Sequence, residues 1–388
     1  MTREQPGVLD ALSLLSQVAD EVVVKTVRDT HIACVDRVQG LLRRPTGDVP
    51  SAGERLHRGI AGSVYGGLGV SLRVTSRGLG ALADRGLGPN LESDARGRFV
   101  HAAVNGIIGD RLQRERPRLA IPMAVRLSGA NVSLDRASLT TAFPDATERL
   151  VVFLHGLCED ESNWDRRREQ RGTTYGEALA ADGWTPVFLR ANTGLPLREN
   201  GVALASLLTE LVAEWPLGVE RIALVGHSLG GLVMRAASAV VAEAEDRVWT
   251  RLVSDVVTLG TPHVGAPLAG QVGAGSSLLG RLPESAAFGR ILDWRSVGVR
   301  DLVLGLAEDV PALPHARYRL VAATLTRSPR HPVGAVAGDL LVRVPSAYGR
   351  SRGRTLFPDA DVLHVGRAGH FDLLNHPRVE RALRDWLS

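Results

Sequence analysis

Two serines in this chain sit in the pattern Gly-x-Ser-x-Gly: Gly226-His227-Ser228-Leu229-Gly230 and Gly349-Arg350-Ser351-Arg352-Gly353. A serine hydroxyl is a weak nucleophile near neutral pH. It attacks a carbonyl only when the chain presents it on a sharp turn and a base takes its proton. The small flanking residues let a strand double back into a helix with the hydroxyl at the tip. Sequence context separates the two sites. Ser228 follows the apolar run Ile222-Ala223-Leu224-Val225 and precedes the helix-like stretch LGGLVMRAASAVVAEA, whereas Ser351 lies among arginines between Tyr348 and Pro358, where a turn is expected. Ser228 is therefore the predicted nucleophile.

A base and a carboxylate to orient it must come from elsewhere. An open parallel sheet exposes its strand C-termini along one edge, so the partners belong in loops just past later strands. Of the eleven histidines, His370 lies beyond the last β-like run, DVLHV, in the loop before the final helix; His364 is inside that run and His376 is in or beside the helix. His370 is the predicted base. The segment after the preceding run, RYRLVAATLT, contains Gly338-Asp339-Leu340-Leu341-Val342 and makes Asp339 the candidate acid. Its alternative reading is an Asx turn beside Gly338. Asp359 and Asp361 are rivals, but Asp361 opens the last strand and so belongs at the opposite end of the sheet. A tetrahedral oxyanion needs two fixed donors. The Leu229 N–H, at the start of the helix, is one; the Leu157 N–H, in the loop after LVVFL where Gly156 permits the turn, is the other. His155 reads as structural, and Cys158 has no elbow around it.

The elements that must position these residues begin at Leu119. From there, short β-rich runs alternate with longer amphipathic ones: Leu119 to Leu127, Leu150 to Leu154, Pro186 to Leu189, Arg221 to Val225, Val253 to Leu259, Tyr318 to Thr324 and Val362 to Val365. Helices are expected near 174–182, 199–215, 229–246, 284–306 and 371–387. The alternation predicts an α/β fold, a mostly parallel central sheet with helices on both faces. Ahead of it, apolar residues from Val8 to Leu42 recur at three- and four-residue steps, Gly62 and Gly66 have a small-xxx-small spacing, and a helix is expected from about Ser93 to Arg114, before Pro117. The expected division is a helical N-terminal region, 1–117, and a second domain, 118–388.

Five blocks in this order resemble the α/β-hydrolase superfamily, and within it the lipase and GPI inositol-deacylase-like esterases: LVVFLHGL at 150–157, LVGHSLGG at 224–231, TLGTPHVGAP at 258–267, GDLLVRVPSA at 338–347 and GHFDLLNHP at 369–377. The resemblance implies the α/β-hydrolase fold and a serine ester hydrolase of apolar acyl substrates that works through an acyl-enzyme without a cofactor. It also implies a pocket covered by residues 266–306, either a mobile lid or a pair of packed helices. Thr261 and His263, in the GTPH turn, would shape the substrate-binding wall. Some bacterial lipases carry a calcium ligand two residues after the catalytic histidine, and Asp372 stands there; one carboxylate does not make a site for an ion that takes six or more oxygens, so no metal is expected.

Composition narrows the remaining classes. With 388 residues, 44% hydrophobic and 23% charged, the chain is long and apolar enough for a sizeable core. A net charge of +4 with interspersed signs and 4% aromatics does not make a nucleic-acid-binding face. Cys34 and Cys158 are too few for a disulfide framework, which favours a reducing compartment. The longest uncharged stretch near the N-terminus, Gly59 to Leu72, falls short of the roughly 18 apolar residues that read as a membrane span. A cytoplasmic enzyme acting on a small ester or lipid is expected, with peripheral membrane contact through the N-terminal helices as a further expectation. Acyl transfer by the same residues and a membrane- or protein-binding module on a hydrolase scaffold are the alternatives, and oligomeric state is left open.

Overall fold

The computed structural model describes residues 52–85, 91–93, 95–240, 248–266, 296–306, 310, 312–351 and 353–388, with six positions between 7 and 16. Two compact units divide the chain: Met1–Gly97 with Gln271–Arg295, and Arg98–Gly270 with Ser296–Ser388. In the first, α1 (Ala52–Asp84) is a 33-residue helix. There the Ser13 hydroxyl donates to the Ser76 carbonyl at 2.7 Å.

The second unit is built on eight strands: β1 (Ala124–Leu127), β2 (Ala130–Val132), β3 (Arg149–Leu154), β4 (Thr185–Arg190), β5 (Arg221–His227), β6 (Val253–Leu259), β7 (Arg317–Thr324) and β8 (Asp361–Gly366). Their spatial order is β2-β1-β4-β3-β5-β6-β7-β8. Every pairing from β4 to β8 is parallel, and β1 is antiparallel to both β2 and β4. Strands buried on both faces read as unbroken apolar runs, and β3 shows why. Leu150, Val152 and Leu154 enter one core cluster, while Val151 and Phe153 enter the other. The first cluster takes Leu204, Leu208 and Leu211 from α5 (Leu197–Glu214) and Leu232 from α6 (Leu229–Ser238). The second takes Leu179 from α4 (Tyr175–Ala181) and Val379, Leu383 and Leu387 from α8 (Pro377–Leu387). Helices thus cover both faces of a mostly parallel sheet, which is the α/β-hydrolase fold.

One departure from the sequence reading has a local cause. The run from Leu119 was expected to be strand, yet β1 starts only at Ala124. Helix α2 (Ala95–Glu115) takes the intervening backbone groups for itself. Asn105 Nδ2 donates to the Leu119 carbonyl at 2.9 Å, the Ile121 N–H donates to Asn105 Oδ1 at 2.9 Å, and His101 Nε2 lies 2.8 Å from the Leu119 oxygen. From Arg98 on, α2 lies in the same compact unit as the sheet. Further along, α2 is kinked at Ile108, whose φ of −137° is not helical. There Asn192 Nδ2 donates to the Gly109 carbonyl at 3.2 Å, and Ser296 donates through Oγ to Gly106 and through N–H to Ile107, both at 2.7 Å.

The hairpin strand β2 and helix α3 (Arg136–Ala142) were not expected. Helix α3 starts where the Asp135 carboxylate accepts from the Ser138 N–H at 2.9 Å. Of the expected lid, Ala266 is buried and α7 (Val297–Leu304) is helical; residues 267–295 lie outside the described residues, as does most of the periodic stretch from Val8 to Leu42. Among the described residues, no helix is long and apolar enough to cross a membrane.

Candidate active site

Ser228 stands between β5 and α6 with φ +51°, ψ −119°, a conformation that side chains other than glycine rarely adopt. Its surroundings hold the turn. The Ser228 N–H donates to the Leu259 carbonyl at 2.8 Å. A Cβ at Gly226 would lie 2.7 Å from the Gly231 Cα, and one at Gly230 would lie 2.6 Å from the His155 carbonyl oxygen, so both flanking glycines are demanded by close backbone approach. Gly156 meets the same need from the other side, since a Cβ there would lie 2.9 Å from the Ser228 Cβ.

Asp339 and His370 meet across two loops. Asp339 Oδ2 lies 2.7 Å from His370 Nδ1, and its Oδ1 accepts from the Leu341 N–H at 3.0 Å and the Val342 N–H at 2.7 Å. The Asx-type turn and the contact with His370 are thus both present, one on each carboxylate oxygen. The backbones are tied too: the His370 N–H donates to the Asp339 carbonyl at 3.0 Å. Both side chains are buried, and His370 Nε2 has no hydrogen-bond partner among the described residues. The histidine ring packs on Gly260, where a Cβ would lie 3.0 Å from His370 Cε1. Ser228 and His370 therefore both rest against the 259–260 turn at the C-terminal end of β6.

The backbone N–H groups of Leu157 and Leu229 take no partner among the described residues. Leu157 is held by its neighbours: the Gly156 N–H donates to Glu159 at 2.8 Å and the Cys158 N–H donates to Thr193 Oγ1 at 3.1 Å. His155 is spent on backbone. Its Nε2 accepts from the Ala191 N–H at 3.1 Å and its Nδ1 lies 2.9 Å from the Gly156 carbonyl, while burial pushes its pKa down. Cys158 packs under α2, and burial lifts its thiol to about 11, far from a thiolate nucleophile.

Thr261 and His263 are fully buried. His263 Nε2 lies 3.1 Å from Thr258 Oγ1 and its ring meets Phe357 edge-on; burial, aided by Arg235, holds the imidazole well below its ordinary value. Neither side chain reaches the surface. Among the rivals, Ser351 is exposed, and Asp361 pairs with Arg319 at 2.6 Å where β8 begins, at the far end of the strand from the loop that carries His370. His364 bonds Thr324 within the sheet, at 2.8 Å, and His376 caps α8. Asp372 is paired with Arg167 and accepts from the Gly369 N–H at 2.8 Å.

Residues 144–303 match the family model described as "Putative serine esterase (DUF676)". Among solved structures similar to this chain are the mature lipase BlEst2 of Bacillus licheniformis (22% identity, 62% of this chain and 92% of that one, TM-score 0.44) and EstA of Clostridium botulinum (14%, 62% and 86%, 0.42). Carboxylesterase CesB of Bacillus subtilis is a third (15%, 63% and 84%, 0.35). No curated protein matches the chain. The matched segment contains Ser228, Leu157 and Leu229.

Two residues that the sequence reading passed over stand out beside Ser228. Glu159 and His227 are buried and paired at 2.9 Å. His227 occupies the x of the Gly-x-Ser-x-Gly pattern and Glu159 follows Leu157 by two residues; only their contact in three dimensions sets them apart from packing residues.

Proposed function

We propose that Ser228, His370 and Asp339 form a catalytic triad that hydrolyses esters of apolar acids through an acyl-enzyme. The supporting observation is the 2.7 Å contact between Asp339 and His370 Nδ1, which leaves Nε2 unengaged beside the turn that Ser228 also touches. His370 Nε2 takes the Ser228 proton as Oγ adds to the ester carbonyl, and the Asp339 carboxylate stabilises the imidazolium. The oxyanion is received by the Leu157 and Leu229 N–H groups, helped by the N-terminal dipole of α6. His370 returns its proton to the departing alkoxide, and the same base then activates water to release the acid. An apolar acyl group is favoured by Leu340, Leu341 and Phe371, exposed residues that directly follow Asp339 and His370.

The test is labelling with a fluorophosphonate and mapping of the adduct, together with turnover of short- and long-chain p-nitrophenyl esters. Modification at Ser228 and loss of turnover in Ser228→Ala are expected. Undiminished turnover in that variant would sink the assignment, and a product dominated by ester exchange with an added alcohol would move the reading to acyl transfer.

A further inference from the structure

A buried charge is expensive unless it is paired and hydrogen-bonded, and an apolar pair of the same volume often serves stability equally well. Glu159, 4% exposed, and His227, 0% exposed, are such a pair directly beneath the nucleophile. His227 Nδ1 donates to the Glu159 carboxylate at 2.9 Å, and on the opposite side of the ring Nε2 donates to the His370 carbonyl at 3.4 Å. Both nitrogens donate only in the imidazolium form. Burial opposes charge on His227, but the Glu159 carboxylate more than offsets it and the pKa is raised; burial likewise opposes charge on Glu159, and His227 holds it below the ordinary carboxylate value. Asp339 adds a smaller attraction to His227, and the Glu159 carboxylate contributes to the high pKa of Cys158.

The positions of the bonded groups matter most. Glu159 Oε2 accepts from the Gly156 N–H at 2.8 Å, the residue before Leu157, and it also meets His227, the residue before Ser228. One carboxylate thereby spans the two chain segments that carry the Leu157 and Leu229 N–H groups, and through His227 it reaches the backbone of His370.

We propose that Glu159 is a positioning residue for ester hydrolysis, fixing both oxyanion donors relative to Ser228 by bonding the Gly156 N–H and His227 together. This inference rests on the Ser228 reading above. Such a residue acts on the transition state and leaves ground-state binding nearly untouched. Glu159→Ala is expected to lower kcat on p-nitrophenyl butyrate by about 100-fold, the effect of losing one oxyanion donor, with KM within about threefold of the parent. Glu159→Gln, whose amide oxygen still reaches the Gly156 N–H, is expected to recover kcat to within about tenfold of the parent. A folded Glu159→Ala enzyme with kcat within about threefold of the parent overturns the proposal.

If Glu159→Ala fails to fold, the order of two milder variants decides. Gln keeps the reach without the charge; Asp keeps the charge but is one methylene short. Gln ahead of Asp by at least about tenfold in kcat supports positioning, because a misplacement of about 1 Å costs on the order of 100-fold; equality or the reverse order overturns it. Ser228→Ala assayed in parallel separates the two claims. Turnover lost there but retained in Glu159→Ala removes this inference alone, whereas turnover retained in Ser228→Ala removes both.

Discussion

The segments 226–230 and 349–353 share one five-residue pattern and almost nothing else. At the first, neither glycine has a positive φ; both are small because backbone passes too close for a Cβ, and the strained residue is Ser228 itself. At the second, Gly349 and Gly353 have φ of +60° and +79° and serve a two-residue hairpin in which Arg350 and Ser351 pair with Arg354 and Thr355, all exposed. Glycine meets steric demand alone in the first place, whereas in the second both glycines meet conformational demand, with a side-chain contact to Phe357 added at Gly349. A nucleophile needs the first kind, since a turn clamped between a buried strand and a helix holds its hydroxyl in place.

That contrast is sharpest in the serines. Ser228→Ala should lower kcat by roughly 10⁴–10⁶-fold, as removal of a triad nucleophile does, while Ser351→Ala should leave turnover unchanged and stability within about 0.5 kcal/mol. A comparable loss at both, read by ester turnover and urea unfolding, would break the comparison. Asp339→Asn comes next. Its Oδ1 bonds to the Leu341 and Val342 N–H groups survive the change, yet kcat should fall by about 10⁴-fold because the amide favours the wrong histidine tautomer.

The glycines carry smaller effects, seen in stability. Gly230→Ala pushes a methyl into the Leu154 and His155 carbonyls, which are rigid backbone, and should cost about 3 kcal/mol. Gly353→Ala meets open space and should cost only about 1–2 kcal/mol for its left-handed backbone. Equal losses in chemical denaturation would mean that the close approach around Ser228 is not what holds the elbow.

The smallest effect concerns pH and belongs to the first region alone. Glu159, with its pKa lowered, contributes stability above the ordinary carboxylate value that fades as pH falls through its lowered value. His227, with its pKa raised, contributes stability below the ordinary imidazole value that fades as pH rises through its raised value. The thermal midpoint of the parent should therefore exceed that of Glu159→Gln most between those two ordinary values, and the gap should narrow at either extreme. A gap independent of pH would show that the pair is not ionised.

Ser228, Asp339 and His370 were legible in the sequence because each follows a strand whose apolar run is unmistakable, and strand ends on one edge of a parallel sheet are neighbours. The existence of β3 to β8 followed from the same runs; their spatial order and register did not, because an apolar run does not name its neighbour. Residues 119–123 were misread as strand because a run of apolar residues does not reveal who receives its N–H and C=O groups; the amide of Asn105, from a different segment, takes two of them. Glu159 was missed for a related reason. An acid two residues past a turn looks like surface, and only the burial of His227 against it gives the carboxylate a partner.

The double tie between Asp339 and His370, carboxylate to ring and carbonyl to amide, makes their two loops a single mechanical piece. A displacement of either loop has to carry the other, so the contact between Asp339 and His370 Nδ1 is set without reference to Ser228.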